Sequence, residues 1–205
     1  GMSETGMLLG NPLEGPRVAG SVGLPLPGVE ARLVDADGAP VEPGEEGEIE
    51  VRGAGVFRGY RNAPEKSAES FHDGWFRTGD RARVEAATGY YFLLGRASEL
   101  ILSGGFNVYP REIEDVLFEH PAVAQAAVIG VPHERWGEEV KALVALRPGH
   151  SVTEGELIEF VKSRKGSLTA PKSIEFVAAI PVTNLGKVDK KALRARYWSG
   201  RTRNV

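Results

Sequence analysis

The chain has 205 residues, of which 41% are hydrophobic and 26% charged, and its formal net charge is −3. That length allows one large domain or two small ones with real cores, and the balance is that of a globular chain rather than a disordered one. The slight negative charge argues against a general nucleic-acid-binding surface, and no apolar run approaches the roughly 20 residues of a membrane span. The start carries no basic-plus-apolar signal segment. Cysteine is absent, which excludes disulfides, thiolate metal sites and a cysteine nucleophile, and fits a cytoplasmic location. The four histidines, His72, His120, His133 and His150, lack metal-ligand spacing and read as surface or loop residues.

The first third is dense in Gly and Pro. Short alternating runs at Val29–Val34 and Glu48–Arg52 are bounded by turn signals such as Asp37-Gly38 and Pro43-Gly44, which predicts a small antiparallel or barrel-like β unit. Pro64–Phe71 reads as a short helix with Pro in its first turn. The segments GWFRTGD and RARVEAATGYYFLLGR predict two further strands joined by a turn at Thr88-Gly89, with Asp80 at a tight turn after a strand.

The texture changes after Arg96. In LILSGGFNVYPREIE, Leu100–Leu102 read as a short buried strand, and Gly104 and Gly105 allow close approach of backbone or ligand. Pro110 suits a helix start, with Glu112 and Glu114 near its positive end. Taken alone, this is a tight strand–loop–helix corner. Ile113, Val116 and Leu117 then share a helix face. AVAQAAVIGVP, EEVKALVALRP and SIEFVAAIP read as strands. Thr153 and Glu156 form a capping-box pattern ahead of Leu157, Phe160 and Val161, and DKKALRARYW reads as a final short helix. The second half is thus a compact α+β unit, with its boundary near Arg96–Glu99.

Two tempting motifs fail. GAGVFRG has the wrong glycine spacing for a dinucleotide fingerprint, and no apolar helix follows it. At Gly186-Lys187 the next residue is Val188, where a phosphate-binding P-loop needs Ser or Thr. Four features remain, each with an ordinary alternative. Asp80 in RTGD is either a turn residue or an acceptor for a diol such as ribose. Arg96 at a strand end is either a surface ion pair or a fork for phosphate or ribose oxygen. The double glycine is a corner or a ligand-contacting loop, and Lys187 in PVTNLGK is a solvated loop lysine or a functional cation.

In this order, RTGD, then GR, then SGGFNVYPREIE, then PVTNLGK, the features resemble the carboxyl-terminal part of acyl-CoA synthetases of the fatty-acid–CoA ligase type. These belong to the adenylate-forming (AMP-binding) superfamily. The opening GMSETG is similar to that family's Tyr-Gly-x-Ser/Thr-Glu motif without its Tyr. The resemblance covers essentially the whole chain, and GGFNVYPREIE favours the CoA-ligase branch. It implies an α+β fold: residues 1–96 as the β-barrel-like end of the AMP-binding domain, and 97–205 as a mobile lid.

The implied activity is conversion of a carboxylic acid and ATP to acyl-adenylate and pyrophosphate, followed by transfer of the acyl group to CoA. Asp80 would grip the ribose hydroxyls and Arg96 the ribose or phosphate. Glu4, with Ser3 nearby, would help hold Mg2+ on the phosphates. Lys187 would contact the substrate carboxylate and the α-phosphate. Ser103, Gly104 and Gly105 would line the slot for the pantetheine arm of CoA, and Ser98 would be the hinge.

Two positions depart from the family pattern: Ser98 stands where relatives carry Asp or Lys, and Leu102 where many carry an exposed Lys. The family's Ser/Thr/Gly-rich phosphate loop is absent from residues 1–205, so the chain reads as a C-terminal fragment missing its N-terminal body and inactive by itself. Alternatives are a stand-alone module binding CoA, nucleotide or a protein, and an acyl-AMP ligase loading a carrier protein.

Overall fold

The computed structural model describes residues 1–200; residues 201–205, the end of the expected lid, lie outside the described residues. The described residues fall into two compact units, one of Gly1–Ala97 and one starting at Ser98. The fold class is α+β, with curled sheets.

The first unit is antiparallel. Strands β1 (Leu9–Gly10) and β2 (Leu24–Pro25) pair with each other. Strands β3 (Val29–Val34), β4 (Glu46–Gly53), β5 (Phe71–His72), β6 (Trp75–Val84) and β7 (Tyr91–Arg96) form a second sheet. Here β6 bonds β4 along one edge, and β5 and then β7 along the other. Tyr91 of β7 exchanges backbone bonds with Val22 and Gly23, just ahead of β2, so the sheet curls toward closure. Helix α1 (Pro64–Glu69) starts with its Pro in the first turn.

Alternation along β3 and β4 sorts side chains to two faces. Leu33, Ile49 and Val51 join Phe76 and Tyr91 in the core. The intervening residues make a charged ladder. Arg52 meets Glu30 at 2.6 Å, Arg32 meets the buried Glu50 at 2.7 Å, and Arg77 meets Glu48 at 2.6 Å. The guanidinium groups of Arg32 and Arg52 both lie over the Trp75 ring.

Asp80 is not at a turn after a strand but inside β6. The register slips between the pairs Glu48–Arg81 and Glu50–Arg77, so Thr78, Gly79 and Asp80 together face Ile49. Gly79 takes φ +73°, which lets the strand absorb the extra residues as a bulge and resume its ladder.

A 3-10 turn at Ala97–Glu99 leads into the second unit. There β8 (Ile101–Ser103) and β9 (Phe106–Val108) pair as a hairpin, and α2 (Pro110–Phe118) follows. The strand–loop–helix corner is therefore a strand–turn–strand, and of the supposedly buried Leu100–Leu102 run, Leu102 faces solvent. Long strands β10 (Val123–His133) and β11 (Gly137–Leu146) are antiparallel. Helix α3 (Glu154–Lys165) crosses over to β12 (Ser173–Phe176), which runs parallel to β11. Helix α4 (Lys190–Ala195) comes last among the described residues. The strand expected over SIEFVAAIP stops at Phe176; Val177 makes one further bond to Val144, near the end of β11, and the chain turns to bury Ile180.

The apolar runs of β10 and β11 are continuous because both faces of their sheet are covered. Ala126, Val128, Val140, Ala142 and Val144 pack with Ile113, Val116, Leu117, Leu157 and Val161 of α2 and α3. The alternate residues Ala127, Ile129, Val131 and Leu143 pack with Ile180 and Leu193. Thr153 and Glu156 form the expected capping box of α3, both reciprocal bonds being present; losing such a cap costs about 0.5–2 kcal/mol.

Candidate active site

In the first unit, strand register unites two residues of consecutive strands. Asp80 and Arg96 are direct partners across β6 and β7, and Arg96 Nε lies 2.8 Å from Asp80 Oδ1. Arg96 also donates from Nη1 to the Thr78 carbonyl at 2.8 Å. Thr78, buried, donates its hydroxyl to the Ile49 carbonyl at 2.8 Å and accepts from the Asp80 amide at 3.1 Å. The bulge thus fixes a carboxylate and a guanidinium side by side. Both are partly exposed, Asp80 at 29% and Arg96 at 44%. Asp80 and Thr78 line a cavity of about 320 Å³ with Met2, Leu8, Val22 and Leu93. An acceptor and a fork of donors beside an apolar hollow suit a group with a planar ring and vicinal hydroxyls.

Ser3 and Glu4 lie in a tight turn in which the Met2 carbonyl accepts from the amides of Thr5 and Gly6. Ser3 is exposed and Glu4 half-buried. The Tyr60 hydroxyl donates to Glu4 Oε1 at 3.1 Å. Burial, and after it this bond to Glu4, pushes the Tyr60 hydroxyl above its usual pKa, so Tyr60 remains a protonated donor. Among the described residues no cluster of three or more His, Asp and Glu could hold a metal ion. A single oriented carboxylate fits Mg2+, which binds through one or two carboxylates plus substrate phosphates and water.

In the second unit, Gly104 and Gly105 are the turn of the β8–β9 hairpin, closed by the Ser103–Phe106 pair. Their φ values of +59° and +86° are those of a two-residue primed hairpin turn, which glycine adopts without strain. The Gly104 amide donates to the Trp136 carbonyl at 3.0 Å. Trp136 stacks on His133 with centroids 4.3 Å apart. Ser103, Gly104, Phe106, Arg135, Trp136 and Lys172 are among the residues lining a cavity of about 550 Å³, which offers aromatic walls and two cations.

Lys187 sits in a second hairpin of this unit. Val182 bridges to Val188, the Thr183 amide donates to the Lys187 carbonyl at 2.7 Å, and Gly186 takes φ +75°. The Lys187 side chain is exposed. Ser98, also exposed, lies in the 3-10 turn. Thr78, Tyr60 and Trp136 escaped the sequence reading. Tyr60 and Trp136 had a signal, each being an aromatic beside a glycine in a charged loop, but their contacts depend on tertiary register.

This mixed α+β fold with curled sheets is that of adenylate-forming enzymes. Residues 1–61 match the family described as AMP-binding enzyme, and residues 112–187 match the AMP-binding enzyme C-terminal domain. The chain belongs to this family. A medium/long-chain-fatty-acid–CoA ligase of Mycobacterium tuberculosis is 47% identical over 90% of this chain and 34% of its own length. The mitochondrial malonate–CoA ligase of Mus musculus is 43% identical over 98% of this chain and 38% of its own. Among solved structures, ATP-bound MatB from Rhodopseudomonas palustris superposes with a TM-score of 0.89 at 42% identity, over 96% of this chain and 39% of that one. The chain therefore spans little more than a third of the length of the relatives it matches.

Proposed function

We propose that this chain is the carboxyl-terminal part of an AMP-forming acid–thiol ligase that activates a carboxylic acid with ATP and passes the acyl group to CoA. The observation that carries this reading is the Asp80–Arg96 pair, held 2.8 Å apart beside a bulge, with Asp80 lining a cavity. Asp80 accepts from the ribose hydroxyls, and Arg96 donates to ribose or phosphate oxygen. Glu4, oriented by Tyr60, would hold Mg2+, which would neutralise charge on the phosphates. Lys187 meets the substrate carboxylate and the α-phosphate. One anion attacks another in this step, so a fixed cation stabilises the transition state more than the separated reactants.

The second half-reaction belongs to the glycine hairpin. Ser103, Gly104 and Gly105 line the path of the pantetheine thiol, with Ser98 the hinge that exchanges this face for that of Lys187. The larger cavity supports free CoA as acceptor over a carrier protein. Arg135 and Lys172 offer cations for phosphates there, and Trp136 and Phe106 offer flat apolar surface for a base. The relatives' greater length, with the exposed Met7 and Leu13 of the first unit, supports activity that requires a larger body.

Carboxylate-dependent ATP–pyrophosphate exchange tests the reading. It is measured on the 205-residue chain and on a longer form extended upstream, with Mg2+ and a divided pool of acids. Exchange is expected from the longer form, and Lys187→Ala should lower it on the order of 10²–10³-fold, the usual effect of removing a preorganised charge. Undiminished exchange in Lys187→Ala would overturn the role given to that lysine.

A further inference from the structure

Three residues beyond Lys187, at the start of α4, Lys190 enters a charge cluster that the proposed chemistry leaves unused. Its Nζ lies 2.9 Å from Glu99 Oε2 and 2.9 Å from Glu114 Oε1. The lysine side chain is 11% exposed and that of Glu114 14%, against 32% for Glu99. Glu114 Oε1 is fixed further by the Val128 amide, which donates to it at 2.7 Å. The three charged residues come from different places: the 3-10 turn after Ser98, helix α2, and the segment that carries the lysine hairpin. Glu99 immediately follows Ser98.

Rigid connections bind Lys190 to Lys187 over the short stretch between them. The Asp189 amide donates to the Pro181 carbonyl at 2.9 Å, and the Asp189 carboxylate caps α4 by accepting from the Ala192 amide at 2.9 Å. Val188 bridges back to Val182. The hairpin tip beyond is exposed, Leu185 at 86%. A largely buried lysine side chain between two carboxylates is a firm point close to the tip. Charges so far out of water hold their geometry tightly, because losing one partner leaves the others uncompensated.

We infer that the Glu99–Lys190–Glu114 triad is the linkage that makes the Lys187 hairpin move as one body with the segment just past the hinge. Lys190 is a positioning residue: it touches no substrate, but it sets where Lys187 arrives when Ser98 rotates. The inference rests on the role given above to Lys187. A hinge delivers a side chain accurately only if everything between hinge and side chain is stiff, and misplacement of a reacting group by about 1 Å costs on the order of 10²-fold in rate. The triad closes the long sequence gap between Ser98 and Lys187 through one ion cluster.

The test uses the intact enzyme carrying this segment, with Lys190→Met, Glu99→Ala and Lys190→Arg, and Lys187→Ala in parallel. Glu99→Ala keeps the Lys190–Glu114 pair and so guards against simple misfolding. Lys190→Met and Glu99→Ala are expected to lower the kcat of adenylation about 10- to 100-fold, with KM for ATP little changed. Thioester formation from supplied acyl-adenylate should be preserved, and Lys190→Arg should restore most of the adenylation rate. Parent-like adenylation in Lys190→Met, or an equal fall in both half-reactions together with a lower melting temperature, would overturn the linkage. Amide exchange at Thr183, Gly186 and Asp189 separates the two ideas: it should quicken in Lys190→Met whatever Lys187 does, and unchanged exchange there would reject the linkage by itself. Full activity in Lys187→Ala would instead reject the role of Lys187.

Discussion

At Gly105 the backbone takes φ +86°, and no heavy atom stands within 4 Å of where a Cβ would lie. A larger residue there meets strain of about 1–2 kcal/mol from the left-handed backbone but no clash within the chain. The fold should therefore survive Gly105→Leu, and the added side chain would fill the open space ahead of the turn. In the intact enzyme this variant should lose thioester formation on the order of 10²-fold while adenylation stays near the parent rate, with the half-reactions assayed separately. Normal thioester formation would remove Gly105 from the path proposed for pantetheine. Asp80 carries a related lesson. RTGD singled out Asp80 but not its partner, because Arg96 reaches it only through the register of β6 on β7.

Helix α4 is also anchored just past its far end. The Tyr197 hydroxyl donates to Glu175 Oε2, Arg196 donates to Glu175 Oε1 at 3.0 Å, and Trp198 Nε1 donates to the Gly130 carbonyl at 2.9 Å. Burial first, then the bond to Glu175, pushes the Tyr197 hydroxyl up to about 12 from 10.0. The same bond, with Arg196 after it, holds Glu175 below 4.5. The raised phenol stabilises the fold fully below pH 10.0, and that contribution is lost as pH rises through about 12. The lowered carboxyl stabilises it above pH 4.5, and that contribution is lost as pH falls through the depressed value. Tyr197→Phe should therefore show a smaller loss of stability than the parent between pH 10 and about 12, and a smaller acid loss as well. Denaturant midpoints across both ranges measure this; identical alkaline limbs would mean that Tyr197 is solvated.

For the molecule as a whole, the core clusters respect the division at Ser98. Leu33, Ile49, Val51, Phe76 and Tyr91 pack within the first unit, and both clusters around β10 and β11 lie within the second. A unit with a two-faced core of its own should fold alone. A polypeptide starting at Ser98 is expected to unfold cooperatively and to give dispersed amide spectra. A non-cooperative transition would mean that the second unit depends on the first.

Local physics made much of this protein readable from sequence. Helix α2 announced itself by Pro110 and the spacing of Ile113, Val116 and Leu117, and α3 by the Thr153–Glu156 cap, because both signals act within a few residues. The order of RTGD, GR, SGGFNVYPREIE and PVTNLGK pointed to the family, since charged side chains and paired glycines are written directly in the chain. Tertiary structure decided what depends on how strands pair and in which register. It turned the supposed turn at Asp80 into a bulge inside β6, made a hairpin of the glycine corner, and brought Arg96 to Asp80, Tyr60 to Glu4, and Glu99 and Glu114 to Lys190. A one-residue change in register moves every side chain of a strand to its other face. Such contacts belong to the assembled sheet and not to any local stretch of sequence.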